Sequence, residues 1–277
     1  MVIDRAGLAE FLREHRGALQ PEDVGLPRGQ RRRTAGLRRE EVAGLCHMST
    51  DYYARLERQR GPHPSQQMVA SIAQGLHLSL EERDHLFRLA GHTAPARGGD
   101  SEHVSPGVLR VLDRLTDTPA EVVTTIGVTL RQNALGVALT GDSTRFTGPA
   151  RSLGYRWFTD PDARRLHLPE DHAFLSRLYA SHARAAATQG GPRSAAASLA
   201  ELLLADSAEF RVLWQAHEVA LQPHEVKRFV HPQVGRLDLT CQTLVDPSQS
   251  HLLLVYTATP GTESYEKLQL LSVVATR

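Results

Sequence analysis

The side chains best suited to chemistry in this 277-residue chain are arginines, and they are clustered. Arg28, Arg31, Arg32, Arg33, Arg38, Arg39, Arg55, Arg58 and Arg60 stand against four acids in the same stretch, Glu40, Glu41, Asp51 and Glu57. A guanidinium is always charged, and its planar fork fits phosphate oxygens or the edge of guanine. The cluster therefore suits a polyanion such as nucleic acid, although the net charge of +1 conceals it. Other reactive types are dispersed. None of the 14 histidines completes a His-Glu-x-x-His pattern, because Leu221 follows His217 and Arg228 follows His224 at the deciding position. No metal site is expected. Cys46 and Cys241 form no CxxC pair, so neither a disulfide framework nor a cysteine zinc site is expected, and Cys46 reads as a small buried residue. Nucleophile elbows, dinucleotide fingerprints and Walker loops are missing; residues 141–148 lack the Gly-Lys-Ser/Thr ending. Catalysis is not expected.

What positions the cluster is the stretch from Leu37 to Glu57. Its spacing predicts a helix of about two turns, a tight turn at Cys46–Met48, and a second helix opened by Ser49. The Ser49 hydroxyl can cap the free amides of that helix, and Asp51 favours its positive end. Ala43 is small where the helices should cross, and Val42, Leu45, Met48, Tyr53 and Leu56 supply an apolar seam. This is helix-turn-helix patterning, in which the second helix lies in the major groove of DNA. With Tyr53 and Leu56 inward, Thr50, Tyr52 and Arg55 face outward toward base edges; the plainer alternative is a solvated helix face. Arg39, with the free amides of the first helix, is expected on a phosphate, and Glu57 is expected to anchor the helix end. Arg31, Arg32 and Arg33 lie in a long connection, about Gln20 to Gly36, and suit a phosphate strand or the minor groove. The expected DNA-contacting set is Arg31, Arg32, Arg33, Arg38, Arg39, Ser49, Thr50, Asp51, Tyr52, Arg55 and Arg60.

These residues resemble a known family, the XRE-type helix-turn-helix regulators of actinobacteria, in their MmyB-like branch. The likeness rests on Gly36-Leu-Arg-Arg-Glu-Glu-Val-Ala43, Asp51-Tyr-Tyr-Ala-Arg-Leu-Glu57 and Arg60-Gly-Pro-His-Pro-Ser65. In the second half it rests on Tyr155-Arg-Trp-Phe-Thr-Asp-Pro161, His231-Pro-Gln-Val-Gly235 and Val255-Tyr-Thr-Ala-Thr-Pro-Gly261, so it spans roughly residues 6–275. The resemblance implies a lambda-repressor-like DNA-binding domain followed by a PAS-like domain with an apolar pocket for a fatty acid or other hydrophobic small molecule. Two positions depart from the pattern. His47 stands where relatives place Gly or another small residue in the helix-helix turn. Gly127 opens a stretch, ending at Asn133, where many relatives carry Trp.

Across the whole chain, 41% hydrophobic and 23% charged residues are ordinary for a globular protein of about two domains. Neither a membrane-length apolar run nor a secretory signal pattern is found, so a soluble, cytoplasmic protein is expected. Five apolar stripes predict five helices before residue 91: Leu8, Phe11, Leu12 and Leu19; Val42, Leu45 and Cys46; Tyr53 and Leu56; Val69, Ile72, Ala73 and Leu76; Leu86, Leu89 and Ala90. The expected organisation is an all-α domain over 1–91, a Gly/Pro/Ser-rich linker over 92–105, and an α+β domain over 106–277. In the latter, helices are expected at 108–115, 174–188, 194–205, 207–217 and 266–275, and strands at 122–125, 237–241 and 251–258. Trp157, Phe158, Leu178, Trp214 and Tyr256 are pocket candidates, with plain core as the alternative for each; Arg156 and Asp160 suit an internal ion pair. The reading is a sequence-specific DNA-binding regulator without a cofactor, a homodimer on a pseudo-palindromic operator, modulated by a small hydrophobic ligand. The alternative is a protein-interaction adaptor or antitoxin-like module.

Overall fold

The structure, a computed structural model, describes residues 2–27, 34–95, 101–219, 221–247 and 250–275. It divides into two compact units between Arg114 and Leu115.

The first unit is helical: α1 (Arg5–Ala18), α2 (Arg39–Leu45), α3 (Thr50–Glu57), α4 (Gln66–Gly75), α5 (Leu80–Leu89) and α6 (Pro106–Arg114). Short polar side chains start these helices by accepting otherwise unpaired amides. Asp4 accepts from Gly7, Ser49 from Tyr52, Ser65 from Met68, and Ser79 from Glu82. All five apolar stripes turn inward. Leu8, Leu12, Val42, Cys46, Tyr53, Leu56, Val69, Ile72, Leu76 and Leu86 form one buried core, while Phe11, Leu19, Leu45 and Leu89 cover its edge.

The connection after α1 opens with a 3-10 turn at Pro21–Val24. Its far end is pinned by the Leu37 amide on the Arg16 carbonyl, 2.9 Å, and by Gln20 on the Ala35 carbonyl, 2.7 Å. Gly36 has to be glycine, since a Cβ there would lie 2.4 Å from the Gly17 carbonyl oxygen. Within the stretch expected as a linker, Ser101, His103 and Val104 are buried. Gln74 bonds both the amide and the carbonyl of Val104, His103 meets the Leu78 carbonyl, and Arg83 reaches Ser101. The described ends of this stretch, 92–95 and 101–105, carry no regular secondary structure, but polar partners on α4 and α5 still satisfy the packed backbone.

The second unit contains β1 (Ala120–Val123), β2 (Thr129–Gln132), α7 (Ala134–Thr140), α8 (Leu153–Thr159), α9 (His172–Gly190), α10 (Ala195–Asp206), α11 (Ala208–Gln215), β3 (Val226–His231), β4 (Gly235–Asp246), β5 (His251–Thr257) and α12 (Glu263–Ala275). The strands form one antiparallel sheet in the order β2-β1-β5-β4-β3, the expected PAS-like α+β architecture. Expected elements are present with shifted ends, whereas β2, β3, α7 and α8 were not anticipated. Asn133 ties the start of this unit together. Its side chain donates to the Leu115 and Thr118 carbonyls and accepts from Ala120 and Gly136. Gly127 turns β1 into β2 at φ +72, a conformation in which a side chain such as Trp would be strained.

Candidate nucleic-acid interface and internal cavity

Helices α2 and α3 meet through Ala43, Tyr53 and Leu56, all fully or nearly buried. Between them His47 adopts φ +52. The His47 amide bonds the Gly44 carbonyl and the Met48 amide bonds the Ala43 carbonyl, the paired bonds of a Schellman ending. His47 thus occupies the left-handed position of this ending at a local strain of about 1 kcal/mol.

The buried carboxylate of Glu57 fixes the far end of α3. Arg16 donates to it at 2.5 Å and Arg39 at 2.6 Å, while Arg13 caps the Glu57 carbonyl at 2.9 Å. Glu57 is therefore the expected anchor. Arg39, expected on a phosphate, has its Nε committed to this anchor and remains partly exposed. Arg13 and Arg16 were not anticipated as clamp members; their spacing of three on α1 was the available signal.

The outer face of α3 carries Thr50, Asp51, Arg55 and Arg58, all exposed, with exposed Ser49 at its start and Arg60 just beyond its end. Arg55 leans on Asp51 at 3.3 Å, one helical turn away. Arg38, at the start of α2, is exposed beside Glu40 at 3.3 Å. Tyr52 differs from expectation: it is half-buried against the core edge, and its hydroxyl is shielded without a hydrogen-bond partner. Burial raises its pKa, with Arg55 opposing. A helical side chain leans back over the preceding turn, which brings this long ring onto apolar neighbours. Arg31, Arg32 and Arg33 lie outside the described residues.

In the second unit a cavity of about 710 Å³ separates the sheet from α8, α9 and α10. Alternate residues of the strands face it: Glu121 and Val123 from β1, and Leu252, Leu254 and Tyr256 from β5. Leu178 and Tyr256 line it as expected, but Trp157, Phe158 and Trp214 do not. The Trp157 indole is buried and donates to Ser176 at 2.8 Å. Phe158 and Trp214 pack on Phe210, at 5.1 and 5.4 Å between ring centroids. For Trp157 and Phe158 the reason is angular. Arg156 faces the cavity, so each next residue of α8 turns away by about 100°.

The cavity wall is more polar than the five candidates implied. Glu121 accepts from Tyr256 at 2.7 Å and from Thr129 at 3.4 Å. Arg156 donates to the Ala150 carbonyl and to Ser143, and lies over the Phe146 ring at 4.0 Å. Burial weakens its basicity, with Asp160 and Glu121 opposing, but no ion pair joins it to Asp160 among the described residues. Burial, with Lys227 adding to it, pushes His167 down to about 4. Burial also raises the Tyr179 phenol beyond the physiological range. Polar residues were missed because each stands alone in sequence; the strand pairing collects them.

Among the described residues no three His, Cys, Asp or Glu side chains are arranged to hold a metal ion, and no helix is long and apolar enough to cross a membrane. Residues 8–86 match a family model described as a helix-turn-helix domain. Residues 104–271 match the model of the MmyB-like transcription regulator ligand binding domain, which begins at Val104, still within the first compact unit. No curated protein matches the chain.

Proposed function

Because the chain belongs to the MmyB-like transcription regulators, a family of ligand-modulated DNA-binding proteins, we propose that it acts as a homodimer on a pseudo-palindromic operator under the control of a small molecule held in the cavity. One short recognition helix reads a few base pairs, and two-fold repetition is the direct route to useful specificity. The observation that carries the reading is the geometry of α3. Its cationic outer face is exposed, while the Glu57 clamp fixes its inner end.

In this reading α3 enters the major groove, with Thr50 and Arg55 on base edges and the half-buried Tyr52 at the margin of the contact. Arg38, Arg39 and Arg60, with Arg31–Arg33, follow the phosphates, and Ser49 and Asp51 set the helix start against the backbone. The effector has an apolar body, a fatty acid being the class that the family resemblance implies. It acts by binding one dimer geometry more tightly than another. Genome-wide mapping of bound DNA tests the proposal. A two-fold symmetric motif with half-sites about one helical turn apart is expected, and bound fragments sharing no motif would overturn it.

A further inference from the structure

Most charges lining the cavity are answered by the protein itself. Arg228 pairs with Asp171 and Glu170, Asp162 pairs with Arg165, and Arg156 is held by the Ala150 carbonyl and Ser143. Arg145 on the lining also has no ion pair among the described residues but is exposed, whereas Lys227 on β3 is half-buried. Its ammonium lies over the Tyr256 ring, 5.3 Å from the centroid, and among the described residues no carboxylate forms an ion pair with it. It is one of two lysines among the chain's 32 Lys and Arg residues. A lysine is a compact point charge on a flexible stem, whereas arginine's fork needs a fixed set of acceptors. The groups beside it compete little for an anion: burial, with Lys227 adding to it, lowers the basicity of His167 and His182.

The same Tyr256 ring leads to a second polar group. Its hydroxyl donates to Glu121, a buried carboxylate that also accepts from Thr129. A carboxylate has room for about four hydrogen bonds, and protein donors at these two atoms fill part of that capacity. Leu178, Leu252, Leu254 and Phe229 give the wall its apolar surface. A purely apolar ligand would strip water from both charges and return nothing, which is costly for each.

We propose that the cavity's effector is a bipolar organic acid: an anionic group held by Lys227, an apolar body on the leucine wall, and a hydroxyl or amino donor facing Glu121. This rests on the reading of the cavity as the effector site and narrows it, since an unsubstituted fatty acid satisfies Lys227 and leaves Glu121 unanswered.

Calorimetric titration of the full-length protein with 8-hydroxyoctanoate, octanoate and 1,8-octanediol separates the two contacts. The hydroxy acid is expected to bind about tenfold more tightly than either comparison compound, the usual scale of a charge-assisted hydrogen bond. Lys227→Met should remove its advantage over the diol and Lys227→Arg should restore part of it, while Glu121→Gln should remove its advantage over octanoate. Equal affinities in the unaltered protein, unchanged preferences in the variants, or no binding of any of the three at millimolar concentration would overturn the proposal. The site itself is tested separately by filling the cavity with Leu178→Trp or Leu252→Trp, each checked by its melting curve. Loss of binding in a folded filled variant supports the cavity, and hydroxy acid binding that survives the filling refutes the cavity reading.

Discussion

Arg55 is the guanidinium on α3 with the best access to a base edge, and its present partner is weak. An exposed pair with Asp51 one turn away is worth a few tenths of a kcal/mol, so a guanine edge can take the group over. Arg55→Ala should therefore cost about 1–3 kcal/mol on the operator, much less on random DNA, and nothing measurable in thermal unfolding. Competition titrations decide it: equal losses on both DNAs would make Arg55 a phosphate contact. The Arg55 position, the Ser49 cap and the Glu57 anchor were legible because local spacing sets them. The Tyr52 hydroxyl and the direction of Trp157 were not, because each depends on which neighbour the ring leans upon. His167 gives a second residue-scale consequence. Its pKa is about 4 in the folded protein against 6.5 in a model peptide. Between those values the unfolded chain takes up a proton that the folded chain refuses. Stability is thus fullest above about pH 6.5 and declines toward pH 4, by at most on the order of 3 kcal/mol before solvent screening in the cavity is allowed for. Denaturant unfolding of His167→Gln across that range should show a shallower decline than the unaltered protein, and an identical decline would remove His167 as its cause.

Among the elements, the five helices expected before residue 91 are all present because each carries an apolar stripe, and four of them open on a short polar cap. The second unit yielded its long helices and the strands β1, β4 and β5 for similar reasons. β3 escaped notice because Val226-Lys-Arg-Phe-Val-His231 puts two cations side by side, with weak alternation. As an edge strand it tolerates them, and one of them is Lys227. β2 and α7 are short and run into each other at Asn133, whose four side-chain bonds do the work that periodicity does elsewhere. The turn between α2 and α3 offers an element-scale test. His47 holds φ +52 where glycine would be unstrained, although glycine gains freedom in the unfolded chain. His47→Gly should raise the urea midpoint by an amount equivalent to less than about 1 kcal/mol, with no change in slope. A lower midpoint would mean that the imidazole contributes more to the turn than its backbone strain costs.

For the molecule as a whole, charge is divided unequally: 15 Arg against 12 acids before residue 100, and a net negative remainder. This asymmetry and the order of a helical unit before an α+β unit were visible in composition, whereas the cavity was not, since strands distant in sequence build it. Such a partition makes DNA affinity a matter of salt. Each phosphate neutralised releases counterions, so the logarithm of affinity falls with the logarithm of salt by about 0.9 per contact. Arg31, Arg32 and Arg33 are three consecutive cations in the same connection, a run suited to successive phosphates. Replacing all three with alanine should weaken operator and random DNA by similar factors and flatten the salt slope by up to about 3. Loss confined to the operator, with the slope unchanged, would instead place these arginines on base edges, in the narrow groove where width and sequence are read together.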